Sequence, residues 1–173
     1  MTDMYIETTS LPVEGREFCF EDQRIWADPI HEFHLPYRIA EPFSAVLRIV
    51  PHADGCSLEG TLRGSLAIPC DRCAEEFILS VETEFHEFEA YPETASRSDD
   101  AWWIVEKDGL YYLDVAGFLW EQLQLAHPDK PLCSVLCRGI CAHCGTNKNV
   151  GSCDCAPPSG DSRLAALHSL KLS

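Results

Sequence analysis

From Ala45 onward the chain alternates apolar and polar residues with period two. Ala45, Leu47 and Ile49 share one face; Leu58, Gly60, Leu62, Gly64 and Leu66, leading to Ile68, stand against Glu59, Thr61, Arg63 and Ser65. Phe77, Leu79, Val81, Thr83 and Phe85 repeat the pattern against Ser80, Glu82, Glu84 and His86. Side chains of a strand point to opposite faces in turn, so this pattern predicts strands with one buried and one wet face, paired antiparallel. Trp102 to Val105 and Leu110 to Leu113 flank Lys107-Asp108-Gly109, which predicts a hairpin because Gly accepts the positive φ of a tight turn.

At Asp114 the period changes. Val115, Phe118, Leu119, Leu123 and Ala126 recur at helical spacing until Pro128, and Asp114 is placed to cap them, so residues 114–127 are expected to form one amphipathic helix. Before Ala45, Pro12, Pro29, Pro36 and Pro42 interrupt any long element, and the expectation is a wrapping segment with a short strand over Glu17 to Phe20. Pro92 to Asp100 is polar and reads as a loop, and Leu164, Leu167 and Leu170 mark a short helix from about Ser162. No internal repeat or low-complexity tract is visible.

Composition then narrows the class. With 173 residues, 46% apolar and 24% charged, the chain reads as a folded protein rather than a disordered one. The longest apolar run, Val115 to Trp120, is far below the ~20 residues that cross a bilayer, and residues 1–20 carry no signal-peptide pattern; the expected location is cytoplasmic, with no membrane contact. Residues 1–127 hold 25 acidic against 8 basic residues, a net −17, whereas residues 128–173 hold 3 against 5, a net +2. An acidic body (1–127) with a slightly basic tail (128–173) is the expected organisation. Such a body repels phosphates and suits a basic protein partner, so any RNA contact is expected to be weak or indirect, through Arg138, Lys148, Arg163 and Lys171 of the tail.

Ten cysteines add the chemistry, six of them between Cys133 and Cys155. In Cys141-Ala-His-Cys144-Gly the turn aims two thiolates at one point, and Cys153-Asp-Cys155 supplies a second pair for a tetrahedral zinc site. Cys70-Asp-Arg-Cys73 ends a strand and, with Cys133 and Cys137, would form a split second site tying the tail to the sheet. The expected cofactor is therefore one or two Zn2+ per chain. A redox dithiol at Cys70 and Cys73 is the competing reading, although such pairs open a helix in a βαβ unit and here strands lie on both sides.

The segments "PCDRCAEEF", "LDVAGFLWEQLQLAHPDKPLC", "LCRGICAHCGTNKNVGSCDC" and "DSRLAALHSL" resemble, over residues 56–171, the YceD family, the large ribosomal RNA subunit accumulation proteins. The family's tail reads close to C-K-G-L-C-P-x-C-G-x-N-L-N…C-x-C and then D-P-R. Here Ile140, Ala142, Lys148 and Ser162 depart from it without removing a ligand. The resemblance implies a role in accumulation or maturation of 23S ribosomal RNA, in bacteria and plastids, and no known reaction.

Enzymatic readings are weaker. Pro69-Cys70-x-x-Cys73 is half of a zinc deaminase signature without its His-x-Glu, and His31-Glu32-Phe33-His34 is one residue short of a zincin motif and reads as a surface loop. No phosphate-binding loop, dinucleotide fingerprint or nucleophile elbow is present. Trp102, Trp103, Tyr111 and Tyr112 are read as divided between core and surface rather than as a base-stacking platform, and Glu84, Glu87 and Glu89 as one solvated strand face. The expectation is an α+β protein with an antiparallel sheet, barrel-like if it closes, one main helix and a zinc-knuckle tail. It is expected to be a non-catalytic ribosome-assembly factor meeting a basic ribosomal or rRNA-processing protein. A zinc-stapled adaptor outside ribosome biogenesis is the alternative.

Overall fold

A computed structural model of the chain describes residues 4–92 and 103–156. Within them the elements run β1 (Tyr5–Glu7), β2 (Arg16–Phe20), α1 (Arg24–Glu32), β3 (Arg38–Pro51), β4 (Gly55–Pro69), β5 (Glu76–Ala90), β6 (Ile104–Lys107), β7 (Leu110–Asp114) and α2 (Val115–Ala126). The alternating runs form the long antiparallel strands β3, β4 and β5, with β2 paired to β3, giving a four-stranded sheet of order β2-β3-β4-β5. A second antiparallel sheet has the order β1-β7-β6.

The sheets do not close into a barrel. Closure would bring β5 round to β2, but the inner face of the long sheet is covered by α1, α2 and the small sheet. Leu47, Ile49, Leu58, Leu62, Leu66 and Ile68 point into this core, where Phe118 and Leu119 of α2 and Trp26 of α1 meet them. Gly60 lies beneath the Phe85 ring, and a Cβ there would come 2.7 Å from it; the missing side chain is what lets Phe85 lie over the strand and meet Phe118 edge to face at 5.4 Å. In β3 the ladder slips between Ile39 and Ser44, around Pro42, which has no N–H to donate.

The segment before Ala45 holds more structure than a wrapping strand. Helix α1 (Arg24–Glu32) stands where no helix was expected. Its Ile25, Trp26, Pro29 and Ile30 form one buried face that the prolines obscured. Gln23 anchors the start of α1, donating to the Phe43 carbonyl at 2.8 Å and accepting from the Phe43 N–H at 2.9 Å. His31 and Glu32 therefore end a helix rather than lie in a loop, and His34 follows with φ 51.

Helix α2 begins where Asp114 accepts from the Gly117 N–H at 3.1 Å, the cap read from the sequence. Asp108 and Gly109, with φ 55 and 76, make the β6–β7 turn. Trp103 donates to Glu121 at 2.6 Å and Tyr111 stacks on Tyr91 at 4.0 Å, whereas Tyr112 pairs across the strands with Glu7 and Val105. The aromatics thus divide between faces and make no platform among the described residues. The acidic strip is also divided. Glu84 shares the outer face with Glu82 and His86, while Glu87 and Glu89 alternate onto the inner side. There burial, and then the neighbouring Glu121, push Glu89 up to about 7. Trp102, most of the Pro92–Asp100 loop and the helix expected from Ser162 lie outside the described residues, as do Arg163 and Lys171.

Candidate metal centres

The β4–β5 hairpin turns through Cys70–Cys73. Ala74 donates to the Cys70 carbonyl at 2.8 Å with a positive φ of 60, which folds the loop back so that both sulfurs leave on the same side. The chain after α2 reaches this loop by main-chain bonding: Asp71 donates to Pro131 at 2.9 Å and Ile140 to Arg72 at 3.0 Å. Gly139 faces the Arg72 carbonyl at φ 72, and a Cβ there would stand 2.9 Å from that oxygen. Between these ties Cys133 and Cys137 come over Cys70 and Cys73. The four sulfurs lie within 4.8 Å of one another, with Cys70 to Cys137 at 3.8 Å and Cys73 to Cys133 at 3.7 Å.

Those separations fit a metal. A tetrahedron of zinc–sulfur arms of about 2.3 Å has edges of about 3.8 Å, whereas a disulfide would bring two sulfurs to about 2.05 Å. Cys70, Cys73 and Cys137 are buried and Cys133 is exposed.

Cys141, Cys144, Cys153 and Cys155 form a second quartet whose sulfurs again lie within 4.8 Å. Its turn is closed by Gly145, at φ 74, donating to Cys141 at 2.9 Å, and by Cys141 donating to Thr146 at 2.9 Å. Among the described residues these two are the groups of metal-ligating side chains that converge, and they hold all eight cysteines singled out in the sequence. Cys19 is exposed and apart, and Cys56 is buried in the core, where burial pushes its thiol up to about 12. His31 and His34 join neither group.

The model for the family described as large ribosomal RNA subunit accumulation protein YceD matches residues 58–171. The chain belongs to this family. No curated protein and no solved structure matches it. The span matched to YceD contains both quartets, most of β4, and all of β5, β6, β7 and α2, and leaves β1 to β3 and α1 outside.

In this YceD chain the residues that tie the loop after Cys144 to the first quartet and its hairpin are asparagines to which the sequence reading gave no role. Asn149 donates to the Cys137 sulfur at 3.3 Å while its oxygen accepts from the Arg138 N–H at 2.7 Å. Asn147 accepts from the Asn149 N–H at 2.9 Å and donates to Glu75 on the hairpin at 3.3 Å. The available signal was the Asn-Lys-Asn spacing one residue after the Cys144-Gly145 turn.

Charge is shared unequally within each quartet. Burial pushes Cys70 up, but main-chain N–H groups of Cys133, Arg72 and Cys73 together outweigh it and hold the thiol at about 6. The Asn149 amide is the main influence lowering Cys137. Cys133 is driven up to about 12 by desolvation of its sulfur and then by the three other thiols. In the second quartet the Thr146 hydroxyl and N–H bring Cys144 down to about 6, and the sulfurs of Cys144 and Cys141 push Cys155 up to about 12. Hydrogen bonds thus favour thiolates that crowding opposes, a conflict that a central dication removes.

Proposed function

We propose that this protein is a non-catalytic factor for 23S rRNA accumulation and large ribosomal subunit biogenesis, that it carries one structural zinc ion in each cysteine quartet, and that it acts in the cytoplasm through a basic ribosomal or rRNA-processing protein. The observation that carries the reading is the pair of four-cysteine groups, each with its sulfurs within 4.8 Å of one another, inside the span matched to the large-subunit accumulation family. Zinc held by four thiolates has no open position at which to activate water, so the centres suit architecture rather than hydrolysis. On this reading Cys70, Cys73, Cys133 and Cys137 fasten the tail (128–173) to the acidic body (1–127), and Cys141, Cys144, Cys153 and Cys155 shape the tail itself.

The charge distribution supports a protein intermediary. The body's −17 opposes phosphates within a Debye length of ~8 Å, and only the tail offers local positive charge. Two measurements test the reading: zinc content of the freshly purified protein, and copurification of large-subunit particles from its own cell extract together with 23S rRNA levels after depletion. Two zinc ions, large-subunit proteins in the eluate and a fall in 23S rRNA are expected. Absence of zinc from a folded tail, or 23S rRNA unchanged on depletion, would overturn it.

A further inference from the structure

We propose that the free edge of β5 takes up an extended, positively charged polypeptide segment as a fifth strand of the long sheet. This rests on the basic protein partner proposed above and assigns its mode of docking. The sheet order places β5 outermost, and β4 pairs with it along all fifteen residues, Glu76 to Ala90. On its other side no main-chain hydrogen bond is made among the described residues. In an antiparallel ladder alternate residues turn both N–H and C=O away from the neighbour, so half of this strand offers unused donors and acceptors at a regular repeat.

The strand is long for an unprotected edge. It has no Pro, Gly, Lys or Arg to interrupt it, and carries five glutamates against one histidine. Arg38 neutralises Glu76 at 2.7 Å and Arg63 neutralises Glu82 at 3.0 Å. Glu84 and Glu87 stand opposite Thr61 and Leu58 and meet no cation among the described residues. On the outer face Ile78 and Phe88, 56% and 50% exposed, flank Glu84, while Glu87 adds its charge from the inner face of the same edge.

These features select the occupant. A second copy of β5 would set glutamates against glutamates, and nucleic acid would be repelled in the same way; a cationic strand gains main-chain bonds, charge pairing at the centre and apolar contact at both ends. Ordinary edge strands use charge to keep other chains away. Here the charge is of one sign, so it excludes neutral and acidic strands while leaving a basic one favoured.

The test uses the full chain and an eleven-residue peptide, the span from Ile78 to Phe88, with valines towards its ends and consecutive arginines between them so that both faces carry charge. Two analogues N-methylated on alternate residues, in the two possible phases, keep the charge while blocking one peptide edge or the other. Expected results are slowed hydrogen exchange at alternate amides of residues 76–90, loss of binding for one N-methylated phase only, and roughly tenfold weaker binding by Glu84→Lys with Glu87→Lys. Equal binding of both phases, no protection within 76–90, protection already complete in the free protein, or dimerisation through this edge would each overturn the proposal. The phase comparison stands even where the double variant fails to fold. Copurification separates the two levels: large-subunit proteins retained equally by wild type and a folded double variant remove this docking mode and leave the proposed function standing, whereas their absence from both removes the basic-partner reading itself.

Discussion

Replacing Cys133 and Cys137 together by serine removes both tail ligands of the first quartet and leaves the β4–β5 hairpin with its own pair. The effect on stability follows from the length of chain that the metal closes. Cys73 and Cys133 are 60 positions apart, and a cross-link closing a loop of that length removes about 4 kcal/mol worth of conformational freedom from the unfolded chain. The zinc-loaded wild type should therefore exceed the double variant by about that amount in unfolding free energy, and zinc content should fall from two ions to one. Urea unfolding followed by tryptophan fluorescence reads the body directly, because Trp26 of α1 is fully buried against Phe43. Cys153→Ser with Cys155→Ser is the matched control: it also removes one zinc ion, but its quartet lies wholly within residues 141–155 and closes no loop through the body. Equal loss from both double variants, or less than about 1 kcal/mol from the first, would refute the idea that the first centre cross-links body and tail.

Asn149→Ala removes the N–H donor to Cys137 and the acceptor of the Arg138 N–H, and should weaken zinc at the first quartet by roughly 10–100-fold in chelator competition while sparing the second. Glu89 has a folded pKa raised from 4.5 to about 7, so the folded chain holds its proton more tightly than the unfolded one, and stability from this group should fall as pH rises from about 4.5 through about 7. Glu89→Gln should flatten that slope by on the order of 1–2 kcal/mol, allowing for partial solvent screening, as measured by urea unfolding across pH. Gln23→Ala breaks both bonds to Phe43 and should cost about 1–3 kcal/mol in the same assay, with the helix content of α1 reduced in circular dichroism.

The long strands and α2 were legible because each buries one face and so writes its period into the chain; the Asp114 cap and the Asp108-Gly109 turn were legible because each rests on a single residue's chemistry. Helix α1 was not. Its nine residues contain Pro29, and its buried face has only four members, which prolines on either side outweighed. The split between Glu84 and Glu87 follows from strict alternation along β5, whereas a shared charge had suggested a shared face. The Cys141 to Cys155 set was readable from its close spacing, whereas the joining of Cys70 and Cys73 to Cys133 and Cys137 stayed one pairing among others, because 60 positions separate the two halves until the fold brings them together. The hold of Asn149 on Cys137 was not readable, because a polar side chain shows its purpose only once the partner twelve positions away has been brought beside it.

The first quartet also sets an order of events during synthesis. The hairpin bearing Cys70 and Cys73 leaves the ribosome about 60 residues ahead of the cysteines that complete its centre, an interval of roughly 3–12 s at ~5–20 residues per second. During that interval the hairpin presents two thiols with half a coordination shell. The second quartet has no such wait, since its four cysteines emerge within fifteen residues and can capture metal locally. On the proposed zinc reading, the long-range centre closes only once sheet, α2 and the Cys133 to Cys137 segment are in place, which makes it the step that records docking of the tail on the body.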